Sequence, residues 1–153
     1  MNIHMQMPVE NMKIRLARVG KTLIETRPPA NVAESLSASD LKIQYSVLVT
    51  VNRPESCVDV TVSMAYHSGR NELFSGSLTS SFDVVDLDKY IYAQDGDNEF
   101  QITNDFLPML INIAFGTTRG YFIHELQDTI LSPYPFPMIS IDNIQKRTSY
   151  QLI

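Results

Sequence analysis

The sequence predicts one α+β domain: a four-stranded antiparallel sheet, a long helix packed on one face, and an extended proline-rich strap. Three observations lead there. The first half of the chain alternates apolar and polar residues with period two; the second half, after an acid-rich connection, takes a helical spacing; and three prolines at alternate positions follow it.

The clearest strand lies between Leu41 and Val51, where Leu41, Ile43, Tyr45, Val47, Val49 and Val51 share a face and Lys42, Gln44, Ser46 and Thr50 take the other. Leu48 is the exception. Asn52-Arg53-Pro54-Glu55-Ser56 is turn material, after which Val58, Val60, Val62, Met64 and Tyr66 alternate with Asp59, Thr61, Ser63 and Ala65. His67-Ser68-Gly69-Arg70-Asn71 supplies the next turn, and a third strand follows with Phe74, Leu78 and Phe82 facing in. Short connections make this a meander with one polar face. An earlier strand, from Met12 to Glu25, loses its alternation at Arg18, and Gly20 is placed to mark a bulge before Pro28-Pro29 closes it.

Val84 to Asn98 reads as an irregular, acid-rich connection. Asn104 is a candidate cap for a helix running from Phe106 towards Asp128, with Pro108 in its first turn, where a missing N–H costs least. The remainder reads as an extended tail. Residues 1–153 make one domain, with 1–11 expected as a disordered start.

Composition narrows the function. With 44% hydrophobic and 19% charged residues, the chain has globular values and enough apolar side chains for a core. Its net charge of −5 is the wrong sign for a nucleic-acid backbone, which needs clustered Lys and Arg. Membrane insertion is not expected, because no apolar run approaches the ~20 residues of a spanning helix, and the N-terminus has no basic-then-apolar signal pattern. The single cysteine, Cys57, has no intrachain partner, which fits a reducing compartment; the cytoplasm is the expected location.

Nothing in the sequence assembles a catalytic centre, a metal site or a cofactor site. His4, His67 and His124 stand apart, without metal-ligand spacing, and Cys57 has no thiol companion. Gly116-Thr117-Thr118-Arg119-Gly120 follows a helical run rather than a strand, so helix packing explains its glycines better than a phosphate cradle does. Asp95-Gly96-Asp97-Asn98-Glu99 is too short for a calcium loop and reads as a solvated loop before a helix.

Two segments point to polypeptide binding instead. The helix carries two apolar stripes, Phe106, Leu110 and Ile113 in one and Leu107, Ile111 and Phe115 in the other, whereas a helix lying on a sheet needs only one. Gly116 and Gly120 share a face four residues apart and permit close approach of a second backbone. Leu107, Ile111, Gly116 and Gly120 are therefore candidates for an oligomer interface, the alternative being a helix covered by its own tail. The strap Leu131-Ser132-Pro133-Tyr134-Pro135-Phe136-Pro137-Met138-Ile139 is forced into an extended path by its prolines. It either seals the chain's own core or walls a groove for extended apolar peptide. In the second case Phe115, Tyr121, Phe122, Tyr134, Phe136 and Met138 are the client-binding candidates, since aromatic and Met side chains suit many sequences.

At these residues the chain resembles the SecB-type chaperones. The element order agrees: a strand ending near Pro28-Pro29, a meander from Leu41 to Phe82, a loop and a long helix. Thr118-Arg119-Gly120 is similar to the family's Ser-Arg-Gly, and Pro137-Met138-Ile139-Ser140-Ile141-Asp142 to its Pro-hydrophobic-Asn/Asp strap. The resemblance implies a dimer or dimer of dimers whose grooves hold non-native polypeptide without ATP. Two departures stand out. The stretch from Gly120 to the strap is longer than is typical, while the chain up to Ile153 leaves little room for the family's C-terminal helix. Lys21 and Arg70 also stand where the family's translocase-docking acids are expected, with only Glu25 matching. The implied partners are thus unfolded polypeptide and a second copy, then either the translocase ATPase or one dedicated client such as an antitoxin. A structural interaction module of the same fold, without unfolded clients, is the competing reading; an enzyme on this fold would lack a base, nucleophile or metal set.

Overall fold

The computed structural model describes residues 14–28, 38–93, 100–102 and 106–153. The expected disordered start, the Asn104 cap and the loop Asp95–Glu99 lie outside them.

Four antiparallel strands come from the predicted segments: β1 (Ile14–Thr26), β2 (Leu41–Asn52), β3 (Cys57–Ser68) and β4 (Asn71–Val84). The β2–β3 turn is held by Asn52, whose side-chain carbonyl accepts from the Glu55 N–H. The β3–β4 turn passes through Gly69 at φ 59°, the left-handed region where a Cβ is disfavoured. In β1 the pairing with β4 shifts between Leu16 and Arg18 and again between Val19 and Thr22, across Gly20, as the broken alternation suggested.

The sheet has a fifth strand that the sequence reading did not contain. Beyond the strap, the tail expected to stay extended forms a short helix, α2 (Ile141–Gln145), and then β7 (Thr148–Leu152). Ser140 caps α2 by accepting from the Asn143 N–H. β7 pairs parallel with β2, so the order is β1-β4-β3-β2-β7 and the sheet is mixed, not four-stranded and antiparallel. The acid-rich connection also holds a strand, β5 (Ile91–Ala93), which pairs with β6 (Phe100–Ile102), just beyond it, as a separate ribbon.

The long helix, α1, spans Phe106–Glu125 and ends three residues short of Asp128. It lies over β3 and β4. Its buried stripe is Leu107, Leu110, Ile111, Ala114, Phe115, Thr118 and Phe122, packed on Val58, Val60, Val62, Met64, Tyr66, Phe74 and Phe82. Thr118 enters this core because its hydroxyl donates to the Ala114 carbonyl at 2.7 Å, which satisfies it within the helix. The opposite sheet face carries Ser46, Thr61, Ser63, Ser77 and Thr79, with Thr61 and Thr79 hydrogen-bonded across strands at 2.8 Å. One side of the sheet is the core wall and the other is the wet face the alternation demands.

Candidate functional site

The strap after α1 is positioned by aromatic packing. Phe136 inserts beside Phe115 (5.9 Å between ring centroids), Tyr66 (5.9 Å) and Tyr45 (6.2 Å), all in edge-on geometry. Tyr66 is fully buried, and its hydroxyl donates to the Tyr134 carbonyl at 2.9 Å, which pins the strap over the sheet. Burial drives the Tyr66 phenol well above its ordinary pKa. Leu131 and Phe136 therefore close the core, while Pro133, Pro135, Pro137 and Met138 face solvent, Met138 being 85% exposed.

The six client-binding candidates divide on this basis. Phe115, Phe122 and Phe136 are buried in the chain's own core, and Phe122 also packs edge-on against Phe74 at 5.1 Å. Tyr121 and Tyr134 are half-buried, and Met138 alone of the six is open. The four interface candidates divide as well. Leu107 and Ile111 belong to the core stripe; Gly116 is half-buried and Gly120 exposed, and a Cβ built on either would meet nothing within 4 Å.

Sequence reasoning missed an outer stripe on α1. Met109, Ile113, Gly116, Gly120 and Ile123 recur at intervals of four and three, the spacing of a helix–helix seam. Met109 is 49% exposed and Ile113 41%. Grouping Ile113 with Leu110 hid this stripe; counting the glycines as members of one face reveals it.

A second apolar area lies on β1. Leu16 opposes Phe82 and Val19 opposes Ser80 in the ladder, so both project on the α1 side of the sheet. α1 covers β3 and β4 but leaves these two exposed, and Leu23 is exposed on the other face. The end of β1 is tied to the end of α1 by an ion pair, Arg27 to Glu125 at 3.3 Å. Between that tie and the free part of the strand, β1 forms an apolar shelf beside the helix.

Among the described residues no three His, Cys, Asp or Glu side chains gather in a metal-holding group. Cys57 and His67 stand at opposite ends of β3, roughly 33 Å apart at strand rise. Cys57 is buried; its burial, then the carboxylates of Asp59 and Glu55, hold the thiol above its ordinary pKa against the pull of Arg18. Among the described residues no helix is long and apolar enough to cross a membrane.

No family profile and no curated protein sequence matches the chain. Among solved structures it is similar to a SecB-like chaperone of Mycobacterium tuberculosis, determined in complex with a peptide from an antitoxin. The TM-score is 0.47 at 14% identity, over 83% of this chain and 91% of that one.

Proposed function

We propose that this chain is an ATP-independent holdase that keeps non-native polypeptide extended against apolar surface. The observation that carries the reading is the unspent apolar area beside a complete core: Leu16 and Val19 on the β1 shelf and Met138 on the strap. Large apolar side chains left open beside a filled core mark a binding surface more than a packing remnant. Tyr121 and Tyr134, half-buried, add aromatic surface to it.

The outer stripe of α1 supports self-association as well. Gly116 and Gly120 leave room for a second α1 backbone, and Met109, Ile113 and Ile123 flank them, so a dimer, or a dimer of dimers, is built through this face. The client is unfolded or partly folded polypeptide. Beside Glu25 the open sheet face is lined by Ser63, Ser77 and the cationic Arg147, a poor surface for docking a cationic patch of a translocase ATPase. A dedicated client, such as an antitoxin, therefore suits this chain better than general export.

The burial of Phe115, Phe122 and Phe136 favours a second reading, an interaction module whose strap only covers the core. One experiment separates the two: aggregation of an unrelated, chemically unfolded protein, followed by light scattering with and without this chain and without nucleotide. Suppression at near-stoichiometric ratio supports the holdase. No suppression by a folded, associated protein supports the module.

A further inference from the structure

From the way β7 is held, we infer that this strand of the chain is a resident occupant of a strand-acceptor site on β2, and that an extended client segment takes its place. The inference rests on the holdase reading and names how one client segment is received.

β7 is the weakest member of the sheet. It is five residues long where β2 is twelve, and its pairing is parallel where the other pairings of the sheet are antiparallel. Parallel ladders are slightly less stable per residue. Ser149, Tyr150 and Gln151 are exposed, and only Thr148 and Leu152 are half-buried. The backbone holds it: Val47 donates to the Arg147 carbonyl at 3.1 Å, Ile153 donates to the Val51 carbonyl at 2.9 Å, and Arg53 donates to the Ile153 carbonyl at 3.2 Å.

The surface beneath is built to accept a strand. Val47, Val49 and Val51 are in the core, and they stand opposite Thr148, Tyr150 and Leu152, so those three positions point to the α1 side. β7 fills them with one small polar residue, one exposed ring and one half-buried leucine. A segment with large apolar residues at all three alternate positions would bury more and keep the same ladder. Its chemistry is thus extended polypeptide with apolar residues at i, i+2 and i+4.

The attachment suits exchange. Ile144 in α2 is completely buried and anchors the arm, whereas Lys146 and Arg147 between it and β7 are exposed. Ile144 keeps α2 in the core when β7 leaves β2; the side-chain ties beside the hinge are the Arg147 guanidinium over the Tyr45 ring at 5.2 Å and the Thr148 hydroxyl donating to the Ile144 carbonyl at 2.8 Å. While tethered, β7 competes at an effective concentration in the millimolar range, so only a segment with better side chains displaces it.

The test locks and loosens β7. Leu48 and Ser149 are directly opposed in the ladder and both are exposed, so Leu48→Cys with Ser149→Cys closes a cross-strand disulfide outside the core, and reduction of the same protein is the control. Ser149 lies four residues before Ile153, so by period two its N–H also faces β2, and Ser149→Pro loosens the strand in an intact chain. The probe is a fluorescent twelve-residue peptide of alternating Val or Ile and Ser, read by anisotropy, with thermal unfolding of each protein alongside. Oxidised protein should bind about tenfold or more weakly than reduced, and Ser149→Pro several-fold more tightly than the unmodified chain. Equal binding in the oxidised and reduced forms overturns the inference while leaving the holdase reading standing, provided aggregation is still suppressed. Concentration-dependent dimers abolished by the lock, with no peptide bound, would show a second copy's strand as the occupant, and would also overturn it. If no form binds peptide and none suppresses aggregation, both ideas fall.

Discussion

Gly76 on β4 lies directly beneath the ring of Phe122 on α1: a Cβ on Gly76 would stand 3.1 Å from the ring edge and 3.1 Å from the Leu23 carbonyl. The missing side chain lets the helix settle onto the sheet where β1, β4 and α1 meet. Gly76→Ala is expected to lower stability by about 1–3 kcal/mol through overpacking, measured by urea unfolding.

The helix glycines should behave in the opposite way. A methyl at Gly116 or Gly120 meets nothing in the single chain, and alanine favours helix, so each substitution should raise the stability of the isolated chain by about 0.5–1 kcal/mol. If α1 pairs with a second α1, Gly120→Leu must loosen that association without lowering the melting temperature of the monomer. Sedimentation across a concentration series, with thermal unfolding of the same samples, checks both statements. Unchanged association in Gly120→Leu would remove α1 from the interface.

Two residues of the strap should separate fold from function. Phe136 is core and Met138 is open. Phe136→Ala should cost about 3–5 kcal/mol. Met138→Ala should leave the melting temperature unchanged and reduce holdase activity. Loss of stability without loss of activity in Met138→Ala would exclude the strap from the client surface.

Introducing charge on the shelf gives a direct test of the apolar area. Leu16→Lys and Val19→Lys place ammonium groups at exposed positions, where they should alter stability by less than about 0.5 kcal/mol. Both should weaken client capture. Aggregation suppression equal to that of the unmodified protein would show that clients bind elsewhere.

Alkaline conditions should weaken the fold in a defined window. In the folded chain the Cys57 thiol and the Tyr66 phenol are both raised by burial, so the folded state holds their protons more tightly than the unfolded state does. Their contribution is complete below the unfolded values, about 8.5 for Cys and about 10 for Tyr, and is lost as pH rises towards the folded ones. Urea midpoints should stay level from pH 7 to pH 8 and fall above that. Tyr66→Phe removes the hydrogen bond to the Tyr134 carbonyl, at about 0.5–1.5 kcal/mol, and should flatten the decline above about pH 10. An unaltered slope in that variant would place the sensitivity elsewhere.

What the sequence revealed followed from local period. β2 and β3 were legible because their β-branched residues alternate over a dozen positions, and only one assignment of faces buries Val47, Val49, Val51, Val58, Val60 and Val62 together. α1 was legible as a helix but not in its orientation. Apolar residues surround it, so the outward direction of Met109 and Ile113 could be fixed only by what lies beneath Leu110 and Phe122. β7 was illegible for another reason: Thr148 to Leu152 is short, and its partner strand lies far upstream. On the strap, Phe136 and Met138 are two positions apart in an extended segment, yet one is buried and the other free, a choice made by the ring cluster of Tyr45, Tyr66 and Phe115.

The mixed sheet also bears on the order of assembly. β2, β3 and β4 are joined by turns of four and two residues, 53–56 and 69–70, and can zip as soon as they exist. β1 must reach β4 across Ile14 to Val84, and β7 must reach β2 across Val47 to Thr148, a separation of 148 − 47 = 101 residues. Loops of that length close slowly because their ends must first find each other. On loop length alone the central meander is expected to form first, with both margins bare, and the two outer strands to join later on opposite sides. In that interval a nascent chain exposes, at its β2 margin, the same unpaired backbone that β7 later covers.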